Sequence, residues 1–542
     1  MSRWRQTFMR WSGMAFAALF VPLAHAASLN AVTTVTNNGV APPSNINSLL
    51  PVVNNDSAAN NQAITLMYRP LLWIGNDLRI DWGQSLAKSI AVSKDRKTFL
   101  ITLKPWHWSN GRLITAQDAV DCYRLIEQLG DRYANTGIGG IPTLIEQFKA
   151  ISDDQIRVSL KQPVNPFWFE LNGLSQIVPV PGFAWTGLSA QTLYDRQTDP
   201  SLVRVVDGAY KLERFTQGRE AVFVANPQFS GPKPVIDRLT FRMITSSEAA
   251  FWSLKTGSLQ AANIPHALEA AGRQISHMGS CKTNGGYAIN YVTLNFTNPK
   301  VAFFKDVRVR QALEYAINQP QMIRVAYHGN GVPSYGPVPT LPDTYLSARQ
   351  KWLVAHPMSM FDPAKARQLL QSAGWRVGAD GIRVKNGRRL AFTMMIRSDS
   401  QTRTAEAEIL KQQWQAIGVD MNILSLPFNL ELSKLHPNGA WEAGLLSWSY
   451  SPDFYPTGDG MFDTGGGVNY GGYSDPTMDR LITASTQSSS MQPLYAYEDY
   501  ASQDLPILFL PNPGYLVKFD RRLSPAQLQA VIWQATIDQV SQ

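Results

Sequence analysis

From residue 68 onward, short β-rich runs alternate with capped helical stretches, and no stretch after the first thirty residues approaches the roughly eighteen uninterrupted apolar residues of a membrane span. The β-rich runs lie at 99–103, 222–225, 239–244, 291–296, 392–396, 421–426 and 445–449. Between them, Asp362 and Pro363 precede Ala366, Leu369, Leu370, Ala373 and Gly374, which spells a cap, a first-turn proline, an apolar face and a glycine stop. Thr115 with Asp118 forms a capping box ahead of Ala119, Tyr123 and Ile126, closed by Gly130. Asp306 opens a third helix with Val309, Ala312, Leu313, Ala316 and Ile317 as its inner face, and a fourth is expected over 405–417. Strands and helices mixed in this order define an α/β or α+β chain, and 542 residues exceed what one core holds, so two or three lobes are expected. Segment 28–61, rich in Asn, Ser, Ala and Pro, reads as an extended piece lying on a lobe.

The first residues have a different character. Arg3, Arg5 and Arg10 supply a basic start, residues 14–23 a short apolar run, and Ala24, His25 and Ala26 a small-x-small site, so 1–26 is read as a cleavable secretory signal peptide. Removing those three arginines lowers the formal charge from +8 to +5, with no Lys/Arg run, which argues against a nucleic-acid partner. No Cys follows the apolar run, so a lipid anchor is not expected, and the exported chain is placed in a periplasm. Cys122 and Cys281 could pair in an oxidising compartment; two isolated buried thiols are the plainer reading.

The search for chemistry returns little. There is no Gly-x-Ser-x-Gly elbow, phosphate loop or dinucleotide fingerprint, and the seven His do not pair at metal-ligand spacing, so no metal site and no cofactor are expected. One enzyme pattern occurs in order: Ser85 with Lys88, then Tyr133, then Lys255-Thr256-Gly257, the layout of a serine acyl enzyme of the β-lactamase and penicillin-binding type. Against it, Ser85 approaches a β-like run and Lys255 closes a helical pattern where an edge strand is required.

Seven blocks carry a resemblance. They are LKPWHWSNGRLITAQDAV at 103–120, 207–212 with Asn226-Pro227, 254–259, FKDVRVRQALEYAIN at 304–318, FDPAKARQLLQSAGW at 361–375, QQWQAIGVDMNI at 412–423 and NYGGYSDPTMDRLI at 469–482. In this order they resemble the periplasmic solute-binding proteins of peptide and nickel ABC importers, the oligopeptide- and dipeptide-binding family. Each block has a structural reason: Gly111 and Gly208 suit turns of positive φ, and the helices are capped.

The resemblance implies a type II-like periplasmic binding fold with a discontinuous lobe I (27–65, 177–285, 497–542), a small inserted lobe II (66–176) and a lobe III (286–496). Ligand then lies between the large lobes, which close by hinge motion. It implies no catalysis, a peptide or peptide-like cargo, an inner-membrane permease as partner and a monomer. The same fold with a nickel chelate, oligosaccharide or opine is the alternative. In the family an Asp after a Trp-ending strand holds the peptide ammonium; here the stretch from Trp448 runs Ser449, Tyr450, Ser451, Pro452, Asp453, so Ser451 takes that place without a gap and Asp453 with an insertion. Trp106, Trp108, Trp448, Tyr450 and Tyr470 are the candidate stacking surfaces and Asn469 a candidate amide donor.

Overall fold

The computed structural model describes residues 29–541 apart from 36–44, 54–57, 76, 134, 245, 284–286, 342, 452–453 and 532–536. The signal-peptide reading of 1–26 therefore lies outside the described residues, as does Asp453. Among the described residues, no helix is long and apolar enough to cross a membrane.

Three sheets organise the chain. The largest has eight strands in the order Ile537–Ser541, Met278–Thr283, Leu516–Asp520, Ala261–Ile264, Ala31–Val35, Arg238–Arg242, Glu220–Ala225 and Tyr210–Thr216. A four-stranded sheet holds Ala87–Val92, Thr98–Leu103, Gln155–Leu160 and Ile145–Ser152. A five-stranded sheet orders Asp420–Leu426, Ala391–Arg397, Ala443–Ser449, Ala288–Leu294 and Ile507–Leu510. They fall in the stretches expected for lobes I, II and III respectively, apart from Ile507–Leu510, and are called by those names below.

Local sequence explains most of these elements. In the small sheet Phe99 and Ile101 are buried opposite Val158 and Ile156, and Leu103 and Leu160 are buried two residues further along their strands, the period-two pattern of a one-faced antiparallel sheet. The helix Ala116–Leu129 begins with the expected box, Thr115 N–H donating to Asp118 Oδ2 at 2.8 Å, and ends at Gly130 with φ 55°. The helix Pro363–Ser372 is capped by Asp362 Oδ1, which accepts from Lys365 N–H at 2.9 Å, and buries Ala366 and Leu370. The helix expected over 405–417 spans Gln401–Gln415, because the Ser400 hydroxyl caps it a turn earlier through Arg403 N–H.

Three features depart from expectation. The strand Ala31–Val35 lies inside the large sheet, parallel to both Arg238–Arg242 and Ala261–Ile264, rather than on a lobe surface. Gly208 does not need a positive φ: a Cβ there would stand 2.4 Å from the Met67 carbonyl carbon, so close backbone approach excludes any side chain, whereas Gly111 does sit at φ +83°. Segment 497–542, assigned whole to lobe I, is divided, because Ile507–Leu510 is hydrogen-bonded to Ala288–Leu294 in the lobe III sheet and the chain enters the lobe I sheet at Leu516. Cys122 and Cys281 are free and buried, one in a lobe II helix and the other in a lobe I strand.

Candidate functional site

The strands Ala391–Arg397, Asp420–Leu426 and Ala443–Ser449 are mutually parallel. Ala288–Leu294 is antiparallel to Ala443–Ser449 and to Ile507–Leu510, so the last strand points the same way as the parallel set. Four carboxyl ends therefore meet at one edge, where open α/β sheets form their ligand crevices. That edge also faces lobe I. Leu510 leads there into Pro511 to Tyr515 and then the lobe I strand Leu516–Asp520, and Ala288 follows the lobe I strand Met278–Thr283. The crossing is held by Gly514 N–H donating to Asn330 O at 2.8 Å, and a ring nitrogen of His266 lies 3.1 Å from Gly514 O.

A charged, hydrogen-bonded network is buried at this edge. Arg403 Nη1 donates to Glu406 Oε2 at 2.9 Å and to the side-chain oxygen of Asn290. Asn290 Nδ2 in turn donates to Glu406 Oε1 at 3.0 Å, and the Tyr327 hydroxyl donates to the same carboxylate. All four side chains are buried. Burial alone would lower the Arg403 pKa, but Glu406 beside it holds it above the usual value. Outside the network, Arg397 grips Asp399 with two nitrogens, at 2.8 Å for Nη2 to Oδ2, and its guanidinium lies 4.2 Å over the Phe428 ring. Glu431, on the helix Phe428–Lys434, is wholly buried, and neither carboxylate oxygen has a hydrogen-bond partner among the described residues. Burial pushes its carboxyl up to about 7, against the pull of Arg403 and Arg397.

The residues expected to meet ligand are distributed unevenly. Trp448 and Ser451 are half-buried at the carboxyl edge, and the Trp448 indole N–H is buried without a partner among the described residues. Tyr450, beside them, is wholly buried, its backbone N–H donating to Tyr287 O at 3.0 Å, its hydroxyl to Pro337 O, and its ring edge-on to Tyr287 at 5.6 Å. Tyr470 is half-buried and lines a small pocket with Tyr291 and Thr293. Asn469 is committed to its own loop: Nδ2 donates to Asp463 O and Tyr473 O at 3.0 and 2.7 Å, and Oδ1 accepts from Tyr473 N–H. Trp106 packs edge-on to Phe229 at 5.7 Å, and Trp108, fully buried, donates from Nε1 to Asp118 Oδ2 at 3.3 Å and packs edge-on to Phe183 at 6.1 Å, so both rings join lobe II to lobe I.

The acyl-enzyme constellation does not assemble. Ser85 Oγ accepts from Trp73 N–H at 2.9 Å and donates to Asp81 O at 2.7 Å, which fastens a buried turn. Lys88 is exposed on the strand Ala87–Val92, Tyr133 donates to Gln176 Oε1 at 2.5 Å inside lobe II, and Lys255 ends a lobe I helix with its ammonium 4.8 Å over Trp252.

Comparison with known proteins agrees with this geometry. Residues 82–470 match the family described as bacterial extracellular solute-binding proteins, family 5, and the chain belongs to that family. It is an extracytoplasmic solute-binding protein of the type that serves ABC importers, and it is not an enzyme. Among relatives, the oligopeptide-binding protein AppA of Bacillus subtilis is 24% identical over 450 residues, which is 81% of this chain and 79% of that one. The nickel-binding periplasmic protein of Escherichia coli is 26% identical over 409 residues, 74% of this chain and 72% of its own length. The structure of the B. subtilis AppA in complex with a nonapeptide superposes with a TM-score of 0.74 at 19% identity, covering 94% of this chain and 99% of the other, and it shows the same fold.

Proposed function

We propose that the protein is the periplasmic binding subunit of an ABC importer for peptides or peptide-like solutes, exported by a cleavable signal peptide at 1–26. It works as a monomer that takes solute into the crevice between lobes I and III, closes on it by hinge motion, and presents the closed form to an inner-membrane permease. The observation that carries this reading is the convergence of four strand ends on an edge where the chain also crosses to lobe I. A crossing at the sheet edge lets two rigid lobes rotate with few backbone torsions changing. Trp448, Ser451 and Tyr470 supply aromatic and polar lining, and Asp453, two residues after Ser451 in the sequence, is a further candidate for the cargo's ammonium. Peptide backbone is recognised there as an added strand.

The similarity to a nickel-binding relative supports a second reading in which the same crevice takes a small chelate. Native mass spectrometry of the mature protein, purified without denaturation, separates the two. A ladder of short peptide masses supports the first reading; a single non-peptide mass overturns the peptide assignment and keeps the fold. Small-angle scattering before and after solute addition tests closure: an unchanged radius of gyration with saturating solute would remove the hinge mechanism.

A further inference from the structure

The charges around Glu431 leave one unmatched. Arg403, Arg397 and Asp399 are the charged groups that act on it, with Tyr291 as the neighbouring phenol whose ionisation it opposes. Arg397 is taken by Asp399, and Arg403 by Glu406, in each case at hydrogen-bonding distance. Glu431 is the remaining carboxylate, and among the described residues no cation is paired with it.

Its position follows from the packing. Phe428 lies under the Arg397 guanidinium at the strand end, while Leu435 reaches the level of Gly444, where an added Cβ would be 3.4 Å from Leu435 Cδ2. The helix Phe428–Lys434 thus descends from the carboxyl edge, and Glu431 falls between those two levels. Leu446 faces Tyr291 and Trp448 faces Ile289 across adjacent strands, so Tyr291 and Trp448 share one sheet face, with Trp448 nearer the edge. Gly444 faces Thr293 across the same two strands and so shares that face, and Leu435 packs where a Gly444 Cβ would point, which puts the helix carrying Glu431 on that face. One face of the sheet, at and just below the crevice edge, therefore holds a buried acceptor and a buried donor, Trp448 Nε1, that lack partners among the described residues. Buried polar groups in folded proteins are satisfied, and each exception calls for an unseen partner.

We infer that Glu431 is the counter-ion for a cationic nitrogen of the cargo, an ammonium or guanidinium, and that the Trp448 indole N–H takes an oxygen of the same molecule. This rests on the crevice being the solute site, and it names the chemistry the cargo must carry. The ammonium anchor is then Glu431, and Asp453 is not required for that role. The sealed position of Glu431 means that the cation enters while the lobes are apart and is desolvated as they meet. The bound cation favours the ionised carboxylate, so binding weakens as pH falls through the range where Glu431 is protonated.

The test uses two matched pairs of probes with the mature protein: trialanine against N-acetyl-trialanine, and agmatine against N-butylurea, each measured by calorimetry at about pH 8 and pH 5.5. We expect the cationic member of at least one pair to bind about ten-fold or more tighter than its neutral partner, with the margin shrinking at the lower pH. Glu431→Gln should erase the margin and its pH dependence through loss of affinity for the cationic member. Should that variant fail to fold, Glu431→Leu provides the same readout. Agmatine bound with trialanine ignored would remove the peptide reading and keep this one. Equal binding of charged and neutral probes by the wild type, absence of binding by both cations, or a margin that survives in Glu431→Gln would each overturn the inference.

Discussion

Arg403 and Glu406 stand three residues apart on one helix, a spacing that on an exposed face is worth a few tenths of a kcal/mol. Here both are buried, and the same pair becomes a point of vulnerability, because removing one partner leaves the other charge in a dry site. Glu406→Ala should therefore lower unfolding stability by about 3 to 5 kcal/mol, read by urea denaturation at constant m-value. Glu431→Gln has the opposite sign. The native carboxyl titrates at about 7, above its ordinary value, so its stabilising proton is held fully below about pH 4.5 and lost as pH rises through 7. The Gln variant should match wild type in Tm near pH 5 and exceed it at pH 8; equal values at both would place Glu431 in contact with water. Neither residue could be picked out from the sequence. The aromatic loop after Trp448 was visible through its resemblance, but Asn290 meets Arg403 across 113 residues and Glu406 across 116, and an i,i+3 Arg–Glu pair looks the same whether it faces solvent or core.

At the scale of elements, lobe II touches lobe III through a few well-defined bonds. Asn172 Nδ2 donates to Tyr455 O at 2.9 Å while its Oδ1 accepts from Tyr455 N–H at 2.7 Å. Asp459 accepts from Gly139 N–H at 3.2 Å and from Trp168 Nε1 at 3.4 Å. These bonds bridge the insert and the loop that follows Trp448, so they favour the arrangement in which the lobes are together. Asn172→Ala should shift the unliganded protein toward the open form, seen as a larger radius of gyration in small-angle scattering, with solute affinity reduced several-fold in proportion to the closed population. An unchanged radius would show that the latch carries no weight. Helices bounded by caps, such as Ala116–Leu129 and Pro363–Ser372, were legible because the signal lies within one turn of each end. The strand Ala31–Val35 was not, since its partners are more than 200 residues away and its AVTTV carries no alternation strong enough to announce a central strand.

For the molecule as a whole, several buried carboxyls are held above their ordinary range by burial: Asp207, Glu314 and Glu498 to about 8, and Glu170 and Glu431 to about 7. Each contributes stability at acidic pH that fades as pH rises toward 8. Surface carboxyls held low by arginines, such as Asp306 and Asp399, act the other way and lose their contribution only below about pH 4. Thermal stability should accordingly peak near pH 5 and fall by pH 8, measured by calorimetry; a maximum at pH 8 would contradict the buried-acid account. Fold class was open to sequence reasoning because alternation and capping recur all along the chain, whereas lobe boundaries were not, because a strand's sheet is chosen by distant neighbours.

The place of Ala31–Val35 has a temporal meaning. This early segment lies beside Ala261–Ile264, which pairs on its other side with Leu516–Asp520, so the largest sheet is assembled from both ends of the polypeptide. A chain threaded through a membrane from its amino end cannot complete that sheet until about the last thirty residues have emerged. The topology thus delays completion of the largest sheet, while the sheets of lobes II and III have all their strands earlier in the chain.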